Sequence, residues 1–135
     1  MNEITFDPAK GPISVNVVMT GVAFISYQLT YWSDKKPQRK ILMEMRGNNE
    51  QDHDDSCSLT NMDDPHESTE NYANRSVTLQ GFIRATGKDK TPYKIIVEFL
   101  QEGNVLNNDV LATEGELNKA DGAKMYYEAG KFIKA

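Results

Sequence analysis

Five segments of this chain alternate between apolar and polar residues with a period of two. They are residues 13–20, 23–32, 40–46, 77–84 and 93–99. Because successive side chains of a β-strand point to opposite faces of its sheet, this period predicts strands with one apolar face each. Such strands bury their apolar faces by stacking against a second layer, so the pattern favours two packed sheets. Weaker strand candidates are residues 4–6, 110–113, 124–128 and 131–133.

Polar turn clusters at 33–37 and 86–90 separate the alternating segments, and Asp121-Gly122 is typical of a hairpin turn before the last strands. The helical candidate is Glu114–Ala120, which is short and contains Gly115. Many short strands at this spacing predict an all-β antiparallel β-sandwich of about seven to nine strands, immunoglobulin-like or C2-like in architecture. The alternative is a small closed β-barrel. A chain of 135 residues is long enough for one core, so residues 1–135 are expected to form a single sandwich domain.

An acidic segment at 47–74 interrupts the alternation. It has no Lys or Arg and contains 8 of the chain's 20 acidic residues, both histidines and the one cysteine, Cys57. The rest of the chain holds all 15 basic residues against 12 acidic ones. A structureless segment of this length in a compact domain is usually functional or disordered. We therefore predict a long acidic loop, for which a solvated loop without a ligand is the simplest interpretation.

The predicted strand order also gives the loops a position. If each strand crosses the whole domain, the turn at 33–38 and the turn at 86–92 share one end, and the acidic segment shares the other end with the 102–109 loop. The molecule would then have opposite basic and acidic poles. The residues expected at the basic pole are Lys35, Lys36, Arg39, Lys40, Lys88 and Lys90.

Acidic loops at one end of a sandwich suit a divalent cation, because hard cations such as Ca²⁺ take six to eight oxygen ligands. The run from Asp52 to Asp63 loosely resembles an EF-hand calcium loop, but Cys57 stands where that loop needs Gly and Asp63 where it needs Glu. A looser site formed by the loops of one end fits better. The candidate ligands are Asp52, Asp54, Asp55, Asp63, Asp64 and Asp109.

Other chemistry in the acidic segment is weaker. The spacing of His53, Cys57 and His66 matches no standard zinc pattern. Eight neighbouring carboxylates disfavour the thiolate that a Cys57 nucleophile would need. The sequence therefore predicts no catalytic residue and no certain cofactor, and a Ca-like divalent cation is the one candidate.

A partner surface is predicted at the basic turn. Trp32 falls on the face opposite Tyr31 and its apolar neighbours, close in sequence to Lys35, Lys36 and Arg39. An exposed Trp beside cations can anchor a partner protein. The alternative is that Trp32 packs beneath a flanking strand, because Trp is highly buried on average.

Charge and hydropathy limit the function classes. A net charge of −5 disfavours nucleic-acid binding, and no apolar stretch is long enough to span a membrane. The lone cysteine and the absence of a recognisable signal peptide favour a cytoplasmic protein, with a trimmed mature domain left open. We expect a non-enzymatic binding module that uses the loops at one end for a protein partner or a divalent cation. The alternatives are a structural protein that self-associates through its basic and acidic poles and, least favoured, a small enzyme.

Overall fold

The computed structural model describes residues 2–21, 24–32, 39–45, 53–58, 73–84, 90–106 and 111–135, with the backbone alone for 39–45 and 53–58. Ten strands and a short 3-10 helix, Lys119–Asp121, make up this part of the chain. The strands are β1 (Asn2–Phe6), β2 (Ser14–Gly21), β3 (Phe24–Trp32), β4 (Arg39–Met45), β5 (His53–Ser58), β6 (Ser76–Arg84), β7 (Lys90–Gln101), β8 (Asn104–Val105), β9 (Leu111–Asn118) and β10 (Ala123–Lys134).

These strands form two five-stranded sheets. Sheet A has the order β1-β10-β6-β3-β4, and its pairs are antiparallel except for β1 and β10. Sheet B has the order β5-β2-β7, and both β8 and β9 pair with the far edge of β7. The predicted β-sandwich is confirmed. The closed-barrel alternative is wrong, because the described strands remain in two separate sheets.

The core lies between the sheets and is built from the apolar positions of the alternating segments. Twenty-one buried hydrophobic residues form one cluster. At its centre Phe132 of β10 meets Phe99 of β7 edge to face, with ring centroids 5.3 Å apart, and meets Phe6 of β1 at 6.1 Å. Each such buried aromatic ring stabilises the fold by about 1.5–3 kcal/mol. Strands from both sheets therefore depend on one another for burial.

A buried amide ties the β1–β2 connection to sheet B. The side chain of Gln101, which is 1% exposed, accepts a hydrogen bond from the Asp7 amide at 2.9 Å. Its Nε2 donates to the carbonyls of Asp7 and Gly11 at 3.0 and 2.9 Å. All the hydrogen-bonding groups of the amide are paired, so its burial is compensated.

Four of the weaker strand predictions are confirmed in outline, but two local predictions are wrong. Residues 114–118 continue strand β9 and do not begin a helix. The Asp121-Gly122 turn, with φ +67° at Gly122, leads from sheet B into sheet A and so does not close a hairpin. Strand β10 is continuous over the two segments that were predicted as separate strands.

The acidic segment is not one long loop, because its residues 53–58 form β5 and pair with Ser14–Met19 of β2. Because this additional strand takes the chain once more across the domain, each later turn lies at the end of the sandwich opposite to the predicted one. Trp32 pairs with both Arg39 and Ser76, so β6 begins at the end where residues 33–38 depart. It finishes at Arg84, at the opposite end, just before Lys90.

The predicted basic pole is therefore wrong. Arg39 and Lys40 lie at the Trp32 end of the sandwich, whereas Lys90 starts β7 beyond the far end of β6. Strand β5 also finishes at the Trp32 end. Its last residue, Ser58, pairs with Ser14 of β2, and Ser14 pairs on its other side with Leu100 of β7. The next residue of β7, Gln101, binds Asp7, which directly follows β1 at this same end. Lys35, Lys36 and Lys88 lie outside the described residues. The other end of the sandwich, where β2 finishes at Gly21, is called the Gly21 end below.

Candidate interaction surface

The outer face of strands β10, β6 and β3 in sheet A forms an uncharged patch, which we call the open face. Its residues are the outward positions of three cross-strand rows, together with Trp32 from the next row. They are Ser26, Gln28, Thr30, Trp32, Thr78, Gln80, Phe82, Met125, Tyr127 and Ala129. None of these residues is charged, and the rows that bound them carry Arg84 at one end and Lys131, in the row of Trp32, at the other. A centre depleted in charged residues is typical of a protein interface.

Large apolar side chains are exposed on this face. Of the five exposed large hydrophobic residues among those described, four belong to it: Trp32, Phe82, Met125 and Tyr127. Met125 is 81% and Phe82 54% exposed, and the two are direct cross-strand neighbours. Monomeric proteins rarely leave a contiguous apolar patch in water without an interaction role. The open face is therefore the strongest candidate for a contact surface in the described part of the chain.

Polar groups without charge occupy the middle of the open face. Tyr127 pairs with Gln80, which in turn pairs with Gln28, and the two amides are 3.4 Å apart from Nε2 to Oε1. Tyr127 is 61% exposed. A row of Tyr and two Gln side chains offers both a flat ring and hydrogen-bonding groups at little desolvation cost compared with charged residues.

Trp32 marks the far corner of the open face. It is 40% exposed, and its Nε1 donates a 3.0 Å hydrogen bond to Thr78 Oγ1 on β6. The indole is thus held in one orientation with part of its ring in solvent, as the partner-surface prediction requires. Of the cations predicted beside it, Arg39 is its backbone partner across the strand pair, while Lys35 and Lys36 fall outside the described part of the chain.

The outer face of sheet B differs in chemistry. Lys94 of β7 lies 3.8 Å from Glu114 of β9, and Lys90 lies 3.8 Å from Glu116. These exposed pairs contribute little stability but keep the surface solvated. Among the described side chains, exposed large apolar residues are thus concentrated on sheet A, with Val105 of β8 the one on sheet B.

The interior at the Gly21 end contains two tyrosines that each cover a glycine. The Tyr126 hydroxyl passes over Gly81 and donates to the Ser26 carbonyl at 2.6 Å. Tyr93 lies over Gly115, and Lys124 Nζ donates to its hydroxyl at 3.5 Å. Glycine within a strand often marks such a close approach.

Burial raises the pKa of the Tyr126 hydroxyl well above its ordinary value. The group therefore stays protonated as a hydrogen-bond donor at physiological pH. Its geometry fits a structural hydrogen bond across the sheet and does not provide a group ready to exchange protons with a substrate.

The described residues include only two of the predicted cation ligands, Asp54 and Asp55. Asp54 and Asp55 lie on β5, where they pair with Val18 and Val17 in an extended ladder, so this stretch does not have the curved backbone of a calcium loop. The candidates Asp52, Asp63, Asp64 and Asp109 fall outside the described ranges, as does His66. Within those ranges, no group of three or more His, Cys, Asp or Glu residues is placed to hold a metal ion. The cation site stays a prediction.

Sequence reasoning found Trp32 but missed Phe82, Met125 and Tyr127. A signal was present, because each is a large apolar residue at a position where the alternation calls for a polar one. Phe82 precedes the core residue Ile83, and Met125 and Tyr127 flank the buried Tyr126. Large apolar residues at the outward positions of a strand depart from the usual pattern and mark a candidate contact face.

No helix in the described part of the chain is long and apolar enough to cross a membrane. Comparisons with protein-family models, with curated proteins and with solved structures found no match. The functional proposal therefore depends on the geometry of this chain alone.

Proposed function

We propose that this protein is a non-enzymatic binding module that recognises a protein partner through the open face of sheet A. The observation that carries the proposal is the concentration of exposed Trp, Phe, Met and Tyr side chains on one sheet face with an uncharged centre. Aromatic residues and Met are enriched in interfaces, and hot spots are enriched in Trp and Tyr. A rigid sheet also presents them with little loss of backbone entropy on binding.

The border of the open face suggests what the partner carries. Arg84 follows Phe82 at the Gly21 end, and Lys131 lies beside Ser76 at the Trp32 end. On the third side, the β4 backbone brings both a basic residue, Arg39, and an acidic one, Glu44, into the ladder with β3. We infer a partner surface that is apolar at its centre and carries acidic groups opposite Arg84 and Lys131, since complementary rim charges increase the association rate and the specificity.

The proposal is tested by differential capture. Wild-type protein, Phe82→Ser and Lys94→Glu, a control on the outer face of sheet B, are immobilised and exposed to extract of the source cells. We expect a protein that wild type and the control retain and Phe82→Ser loses. The purified partner should then bind Phe82→Ser at least about tenfold more weakly in isothermal titration, as expected for a hot spot.

Two outcomes contradict the proposal. Equal capture by wild type and Phe82→Ser would show that binding does not use the open face. If wild type retains no protein from the extract, the proposed binding function itself is wrong. Circular dichroism of each variant checks that the sandwich is intact, and Phe82, with 54% of its surface exposed, is a position where substitution leaves the core undisturbed.

A further inference from the structure

No strand in the described part of the chain pairs with the outer edge of β10 over its first seven residues. On one side β6 pairs with Ala123–Lys131, but on the other side β1 pairs only from Gly130 onwards. Among the described strands, none pairs with the outer edge of Ala123–Ala129. Alternate residues there direct backbone N–H and C=O groups outward, and such an edge is a template for another strand.

Neither Pro nor a bulge interrupts this edge. Its outward residues include Met125 and Tyr127, which are 81% and 61% exposed. Charged residues on an edge normally discourage pairing, but the two on this edge, Lys124 and Glu128, have opposite signs and flank Tyr126 symmetrically, so a second copy of the strand can complement them. The segment also has a regular register with β6 over its whole length. It is therefore ready to receive a strand.

We propose that this edge binds the same edge of a second copy of the chain. The two β10 strands pair antiparallel about a two-fold axis through Tyr126, and the two copies of sheet A become one continuous sheet. Closed two-fold association of this kind is the commonest form of protein oligomer.

The sequence of the edge selects this register. Opposite residues of paired strands must share a face, so the axis passes through a residue and not between two residues. With Tyr126 on the axis, Lys124 lies opposite Glu128 of the partner subunit, and Met125 lies opposite the partner's Tyr127. Each pair occurs twice by symmetry. Opposite charges and apolar–aromatic contacts are the cross-strand pairs that stabilise sheets.

Neighbouring registers lose this complementarity. An axis through Met125 places Lys124 opposite Tyr126 of the partner subunit. An axis through Tyr127 places Lys124 at Gly130 of the partner subunit, where β1 already pairs. The charge complementarity therefore belongs to the Tyr126 register alone among these three.

The two residues that bound this edge are also related by the proposed two-fold axis. Gly122, where the chain leaves sheet B, bounds the edge on one side, and Gly130, where β1 begins to pair, bounds it on the other. The two-fold axis through Tyr126 exchanges these two positions. The partner's β1 thus starts where the first copy's chain turns away, and β1 does not obstruct the pairing.

The proposed contact is smaller than a standard interface, so we expect a dimer whose mass increases with protein concentration. It brings the two open faces together, because Met125, Tyr127 and Phe82 of each copy lie beside the axis. Met125 and Tyr127 serve in both contacts, but Phe82 makes no cross-strand pair in the dimer, and Lys124 and Glu128 are not part of the open face. Charge swaps at Lys124 and Glu128 therefore test the dimer, and Phe82→Ser tests partner binding, so each can fail without the other.

A charge-swap series measured by sedimentation equilibrium tests the proposal. Lys124→Glu and Glu128→Lys each place like charges opposite each other, and the double variant restores opposite charges. We expect each single variant to dimerise at least about tenfold more weakly than wild type and the double variant to recover to within about threefold. The control Lys94→Glu, on the outer face of sheet B, should dimerise like wild type.

The direction of the effect separates specific pairing from general charge repulsion. Lys124→Glu makes the net charge of −5 more negative and Glu128→Lys makes it less negative. General repulsion therefore predicts opposite effects for the two single variants, whereas edge pairing predicts weakening by both. Monomeric wild type up to about 0.5 mM, which is far above a typical weak dissociation constant, or single variants that dimerise like wild type, would overturn the proposal.

Disulfide trapping tests the register itself. In a Cys57→Ser background, Met125→Cys is mixed with Tyr127→Cys under mild oxidation. Directly opposite Cα atoms lie about 4.5–5.5 Å apart in antiparallel pairs, within the range of a disulfide. We expect the mixed disulfide to form faster than either homodisulfide. Predominance of a homodisulfide would place the axis elsewhere and overturn the Tyr126 register.

Discussion

Substitution of Gly81 by Ala should strongly destabilise the sandwich. A Cβ at this position would meet the Ser26 carbonyl oxygen far inside van der Waals contact and would lie 2.8 Å from the Tyr126 hydroxyl. The carbonyl belongs to the backbone of the neighbouring strand, so it cannot move aside as the end of a flexible side chain would. The Ser26–Phe82 contact already departs from a regular ladder, since the Phe82 amide donates to Ser26 Oγ at 3.3 Å.

The expected magnitude has two parts. The new methyl group breaks the 2.6 Å hydrogen bond from the Tyr126 hydroxyl to Ser26, which leaves buried polar groups unpaired at a cost of about 1–3 kcal/mol. Forcing the two strands apart costs about another 1–3 kcal/mol, as overpacking generally does. We therefore expect a decrease in the free energy of unfolding of about 2–6 kcal/mol, equivalent to a decrease in Tm of roughly 6–18 °C.

Urea denaturation followed by circular dichroism measures this change. The control is Gly11→Ala, whose Cβ would meet nothing within 4 Å, and it should be neutral or stabilising by up to about 1 kcal/mol. Tyr126→Phe should cost about 1 kcal/mol in wild type and less in the Gly81→Ala background, where the bond is already broken. A Gly81→Ala variant as stable as Gly11→Ala would refute the proposed packing of Tyr126 across Gly81.

Three further predictions follow from single side chains. Gln101→Leu should lower the free energy of unfolding by about 1–3 kcal/mol, measured by urea denaturation, because the buried Asp7 and Gly11 groups lose their partners. The raised pKa of Tyr126 means that the folded state holds the hydroxyl proton more tightly than the unfolded state. The contribution of this group to stability should therefore be independent of pH below about pH 10 and fall above it by up to about 1.4 kcal/mol per pH unit, and Tyr126→Phe should show a smaller slope in alkaline urea titrations. Trp32, the chain's one Trp, should be quenched by acrylamide to an intermediate degree, because it is 40% exposed, and full protection would contradict its placement on the open face.

The alternation of apolar and polar residues was sufficient to predict the sandwich and its main strands. In 93–99, for example, Tyr93, Ile95, Val97 and Phe99 are all buried in β7. The sequence did not predict β5, because its residues are polar and acidic and show no apolar face. That strand exists through backbone pairing with β2, which is a tertiary effect that local propensity does not record. Missing it reversed the end of the domain assigned to the later turns.

Of the large apolar residues on the open face, only Trp32 was predicted from the sequence. Trp32 was identified because it breaks the polar side of a clear alternation, and the same reasoning applies to Phe82 once Gly81 is placed inward. Met125 and Tyr127 required the knowledge that 123–134 is one strand. The open edge could not be predicted, since it depends on β1 pairing with only part of β10. Edges are properties of sheet order, which the local period of a sequence does not determine.

The central claim is that recognition uses the open face of sheet A and not the loops at one end of the sandwich. It is tested most directly by titrating the captured partner into two variants, Phe82→Ser and a chain in which residues 59–72 are replaced by a short Gly-Ser linker. We predict that Phe82→Ser weakens binding at least about tenfold, while the linker variant stays within about threefold of wild type. Loss of binding in the linker variant, with Phe82→Ser unaffected, would contradict the account and place recognition in residues 59–72 of the acidic segment.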